Sequence, residues 1–141
     1  MERKHRFGHR VLLGAMLPAL ALAGLLTGPV ARAAQPTQSV VVFFREWSAA
    51  LDPAAQHAID RAAHWAKAHP AAHLKVIGYA DPTGSKRANV LLSELRAQVV
   101  VDQLVSDGIA ANRLRQNGEG SVQFGLTSQE SRRVAISLDS N

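Results

Sequence analysis

The sequence predicts an α+β domain: one layer of sheet covered by one layer of helices, with elements in the order β-α-β-α-β-β. Three observations carry this. Two stretches have helical start and stop signals, Ala54–His69 and Ser85–Asp107. Short runs rich in β-branched and aromatic residues precede and separate them, too short for helices. A last run, Arg133–Leu138 (RVAISL), has the period-two alternation of a strand.

The elements follow in order. Val40–Phe44 is the first strand. Asp52-Pro53 opens the first helix, with Asp as N-cap and Pro at the first helical position. Ala55, Ala58, Ile59, Ala62, Trp65 and Ala66 then share one face at helical spacing, and Pro70 ends the run. His73–Tyr79 is the second strand. Asp81-Pro82-Thr83-Gly84 is a turn, with Asp first, Pro second and Gly fourth. Gly108 closes the long second helix, and Ile109 is placed to meet Leu104 as a Schellman cap requires. Leu114–Asn117 is a weak third strand, and Gly118–Gln129 reads as a loop.

Composition narrows the function. The chain has 141 residues and a formal net charge of +5. Five of its sixteen basic residues lie in positions 1–33, leaving eleven basic and ten acidic residues from Ala34 onward. The excess charge is thus outside the folded part, which argues against nucleic acid as a partner. With no Cys, disulfides, thiolate metal sites and a lipidated Cys anchor are excluded. Residues 1–33 have a basic start, the apolar run Val11–Leu26 and the small-x-small end Ala31-Arg32-Ala33, the pattern of a secretory signal peptide. The run falls short of the roughly 20 residues that span a bilayer. The expected organisation is a signal peptide (1–33), a short linker (34–39) and one domain (40–141), exported to the periplasm, with no transmembrane segment after cleavage.

One residue conflicts with the pattern around it. On a helical wheel Leu92, Leu95, Val99, Val100 and Leu104 fall on a core-facing arc, and Arg96 lies near its middle. A guanidinium left unpaired in an apolar setting costs several kcal/mol. It must meet a carboxylate, backbone carbonyls or a ligand, or run along the core edge with its head in water. An arginine kept only for a ligand makes Arg96→Leu neutral or stabilising in the free protein.

Gly78-Tyr79-Ala80-Asp81-Pro82-Thr83-Gly84, then Asn89-Val90-Leu91-Leu92-Ser93-Glu94-Leu95-Arg96-Ala97 and Val100, fill every fixed position of G-x-x-D-x-x-G-x(4)-N-x-x-L-S-x-x-R-A-x-x-V. Phe44, Ser48 and Leu51 precede this block at family-like spacing; Arg113-Leu114, Gly118, Gly120 and Arg132-Arg133-Val134 follow it. The chain resembles the OmpA-like peptidoglycan-binding domain over nearly all of Ser39–Leu138. The resemblance implies a mixed four-stranded sheet with two helices on one face. It also implies non-catalytic binding of peptidoglycan through the diaminopimelate of the stem peptide, with Asp81 taking the ammonium and Arg96 the carboxylate. Asn89, Thr83 and Ser85 are secondary binding candidates, the last two through backbone N–H groups of the turn. Spacing alone puts Arg96 about 15 Å along the helix from the turn; only the resemblance brings it to Asp81. By its position, Asp81 is equally a turn residue capping its own backbone. The departures are Tyr79-Ala80 for the usual His-Thr, Ser131 for Asn before the paired arginines, and Arg45 for Asp after Phe44.

Other classes have less support. No G-x-S-x-G elbow, P-loop or G-x-G-x-x-G is present, so an enzyme is not expected. His57 and His64 share a helix face without an acidic residue at ligand spacing, so neither a metal nor a cofactor is expected. An envelope protein that keeps the fold and binds a protein partner, at the outer membrane or elsewhere in the envelope, is the alternative reading.

Overall fold

The computed structural model describes residues 38–122 and 127–139. The signal-peptide reading of 1–33 and the linker up to 37 lie outside the described residues. The elements are β1 (Gln38–Phe43), α1 (Pro53–Ala68), β2 (His73–Ala80), α2 (Lys86–Ser106), β3 (Leu114–Ser121), a one-turn α3 (Ser128–Ser131) and β4 (Arg133–Asp139), with a 3-10 turn at Ala111–Arg113. The sheet order is β1-β4-β2-β3. β4 is antiparallel to both β1 and β2, and β2 is parallel to β3, so the sheet is mixed.

Local signals set the helix ends. The Asp52 side chain accepts from Ala55 N–H at 2.8 Å and Pro53 opens α1. At the end of α2, Gly108 has φ 91°, its N–H meets the Val105 carbonyl at 2.9 Å, and Ile109 N–H meets the Leu104 carbonyl at 3.0 Å. This is the expected Schellman pair. Val42, Leu74, Val76, Val134, Ile136 and Leu138 form one face of the sheet, and Ala55, Ile59, Ala62, Val100 and Leu104 cover it from the two long helices. Arg113 ties α1 to the start of β3 by donating to the carbonyls of Ala66, His69 and Ala72 at 2.8–2.9 Å.

Two expectations are corrected. The apolar arc of α2 is rotated: Leu95 is 53% exposed, and the buried residues are Asn89, Ser93, Arg96, Ala97, Val100 and Leu104. The cause lies beneath the helix. Gly78 and Gly118 are register partners on β2 and β3. A Cβ on Gly78 would strike the Ser93 carbonyl, and one on Gly118 would come within 2.5 Å of Glu94 N. The helix backbone therefore rests directly on a glycine floor, and small or polar side chains face it where a leucine does not fit. The second correction concerns the expected loop from Gly118 to Gln129. β3 continues to Ser121, because Gly118 and Gly120 serve this close approach rather than ending the strand. α3 begins at Ser128 behind a capping box in which Thr127 and Glu130 bond reciprocally. The Thr127-x-x-Glu130 spacing was a readable signal for it.

Candidate functional site

β2 ends at Ala80, and the turn that follows holds Asp81 at the end of this inner strand, only 9% exposed. Its Oδ1 accepts from Thr83 N–H at 2.9 Å, an Asx turn. Its Oδ2 accepts from the Ser128 hydroxyl at 2.6 Å and lies 3.7 Å from the Arg132 guanidinium. Arg132 also donates to Ser128 Oγ, closing a three-residue cluster. The Ser128 hydrogen bond, then that from Thr83 N–H, with Arg132 nearby, hold the Asp81 carboxyl below the usual carboxylate range against the opposing effect of burial. It is a fixed anion.

Arg96 is fully buried. Its Nε donates to the Ser48 carbonyl at 2.8 Å, one terminal nitrogen to Tyr79 at 3.1 Å and the other to Arg45 at 2.9 Å. The guanidinium carbon lies 5.3 Å from the centre of the Phe44 ring. Of the possibilities open in the sequence, backbone carbonyls are what it meets. It does not run out to water, and Asp81 has Arg132 as its ion-pair partner instead. A guanidinium carries five N–H groups; three are engaged by these carbonyls, leaving two. Burial, reinforced by Arg132 and opposed by Asp81, lowers its pKa to about 10, so it remains charged at neutral pH.

The two charged groups meet at one recess, lined by Glu46, Trp47, Asp81, Thr83, Asn89, Leu92, Arg96 and Arg132. Asn89 is a strut: its amide donates to the Thr83 carbonyl at 3.0 Å and to Ser121 Oγ at 2.8 Å, pinning the turn to β3. Ser85 is the N-cap of α2 and its hydroxyl accepts from Ala88 N–H at 3.1 Å; it is not part of the lining. Thr83 N–H is engaged by Asp81. The site residues the sequence did not single out are Glu46, Trp47, Ser128 and Arg132. Arg132 had a signal in the Arg132-Arg133 pair. Ser128 had none, because it reaches Asp81 across 47 positions. The altered Tyr79-Ala80 pair does not line the recess: Tyr79 offers its carbonyl, and its ring lies 4.4 Å from the Arg133 guanidinium. Among the described residues no group of three or more His, Asp or Glu is placed to hold a metal ion, and no helix is long and apolar enough to cross a membrane.

Residues 43–135 match the sequence model of the OmpA family. The chain belongs to the OmpA family. Among curated relatives, the peptidoglycan-binding protein ArfA of Mycobacterium tuberculosis is 40% identical over 81 residues, covering 57% of this chain and 25% of that one. The probable lipoprotein YiaD of Escherichia coli is 35% identical over 103 residues, 69% of this chain and 47% of that one. This chain thus spans less than half the length of either relative. The peptidoglycan-associated lipoprotein of Burkholderia pseudomallei superposes with a TM-score of 0.66 at 23% identity, over 71% of this chain and 90% of that one, a likeness of fold.

Proposed function

We propose that this OmpA-family domain binds peptidoglycan without catalysis, through the free amino-acid end of the diaminopimelate in the stem peptide. The observation that carries the reading is the pairing, in one recess, of a carboxylate held ionised at Asp81 with a buried guanidinium at Arg96 that has N–H groups to offer. A zwitterionic end fits such a pair: its ammonium donates to Asp81 and its carboxylate accepts from Arg96. The name of one relative, the peptidoglycan-binding protein ArfA, supports the same ligand class. Asn89 and Thr83 act by holding the turn, and Ser85 by starting the helix.

The domain works in the periplasm after cleavage behind Ala33, associated with the cell wall or outer membrane; N-terminal sequencing of the exported protein should read from Ala34. The alternative, a module that has given up peptidoglycan for an envelope protein, would rest on the departure from the family pattern at Tyr79-Ala80, and those side chains lie off the recess. Purified sacculi test the proposal. The domain should pellet with diaminopimelate-type peptidoglycan, less with the lysine type, which lacks the second carboxylate, and Asp81→Asn should lose most of the binding. Equal recovery in the pellet with and without sacculi overturns it.

A further inference from the structure

Among the described residues, Trp47 is the one non-glycine with a positive φ, at 50°. Bulky residues rarely adopt that conformation, and such outliers collect at ligand clamps. Trp47 lies in the turn after β1, where Ser48 N–H meets the Arg45 carbonyl at 3.3 Å. The carbonyls of Arg45 and Ser48, on either side of it, are two of the three that hold Arg96. Its indole leans across to the other turn of the recess: a Cβ on Gly84 would strike Trp47 Cη2. The ring therefore bridges the loop that grips Arg96 and the loop that presents Asp81.

The recess beside this ring is half-open and narrow, with about 10 Å³ free to the centres of water-sized spheres, space for about one ordered water. An amino-acid end, with its ammonium, carboxylate and Cα, is larger. The polar walls are fixed, Asn89 and Arg96 by hydrogen bonds to neighbouring loops and strands and Asp81 by Ser128 and Thr83. Trp47 is 55% exposed, so its indole has solvent on one side into which it can swing. We propose that Trp47 is a further ligand-contacting residue, a gate whose indole lifts from Gly84 to admit the zwitterionic end and then closes over the methylene carbons behind it. This rests on the reading of the recess given above. The indole adds apolar contact and a favourable face for an ammonium, and it acts mainly on release.

The test uses a soluble muropeptide with a free meso-diaminopimelate end. Trp47→Gly removes the ring and suits the positive φ, so the fold should be kept. Its Kd should rise about tenfold through faster dissociation. The chain has two tryptophans, so Trp65→Phe leaves Trp47 as the sole indole emitter, and iodide quenching of that emission should fall when the muropeptide binds. An unchanged Kd in Trp47→Gly, or unchanged quenching on binding, overturns the gate while leaving the Asp81–Arg96 reading in place. No calorimetric binding by the unaltered domain overturns both.

Discussion

Replacing Arg96 by leucine separates two accounts of this residue. If the side chain were kept only for a ligand, Arg96→Leu would leave the free domain as stable as before, or more so. The structure predicts the opposite. Three carbonyls, on Arg45, Ser48 and Tyr79, lose their donor together; an acceptor left unpaired costs about 1–3 kcal/mol when buried and less when, as here, it is partly buried. Leucine recovers about 1–2 kcal/mol by apolar burial. Relief of the desolvation that lowers the Arg96 pKa to about 10 offsets a further part. The net loss should be about 2–4 kcal/mol. Urea unfolding followed by far-UV circular dichroism at neutral pH measures it. With a slope of about 1–2 kcal/mol per molar for a domain of this size, the midpoint should fall by about 1–4 M. A midpoint within about 0.3 M of the unaltered domain would show that water replaces the guanidinium at all three carbonyls, and that Arg96 is not a tie between β2 and the loop after β1. Loss of peptidoglycan binding in this variant is interpretable only beside that measurement, which is why Asp81→Asn is the cleaner binding probe.

Three further outcomes are expected. The Asp81 carboxyl should titrate below the usual carboxylate range, and Ser128→Ala should move it back toward that range; an NMR titration of the side-chain carboxyl checks this. Because the folded value is lowered, the stability it contributes is complete above the ordinary Asp value and is lost as pH falls through the folded value, so the unaltered domain should lose more stability between about pH 4 and pH 2 than Ser128→Ala does. A double-mutant cycle with Asp81→Asn and Arg96→Leu should give a coupling below about 0.5 kcal/mol, since the two side chains have different partners; a value above about 1.5 kcal/mol would mean a pre-formed pair. Gly78→Ala should cost several kcal/mol, because its Cβ meets backbone rather than a yielding side chain, and a thermal melt within a few degrees of the unaltered domain would refute the glycine floor.

The sequence by itself determined what neighbouring residues can settle. The Asp52 cap, the proline that opens α1, the Asp81–Gly84 turn and the Schellman end of α2 each involve residues within a few positions of one another, and each lies where local rules put it. The family pattern in the same stretch pointed to Asp81 and Arg96. Their surroundings depended on the tertiary structure. Arg96 meets carbonyls 48 and 51 positions away, and Asp81 meets a hydroxyl 47 positions away. Neither partner carries a signal, because a backbone carbonyl belongs to every residue and a serine is common in any loop. The face of α2 was misread for the same reason. Helical periodicity assumes that large apolar residues point inward, whereas paired glycines on two strands bring the helix backbone down onto the sheet and reserve its inner face for Asn89, Ser93, Arg96 and Ala97. Whether a polar residue at such a position is a defect or the centre of a site depends on what lies across from it, and only the folded chain brings that into place.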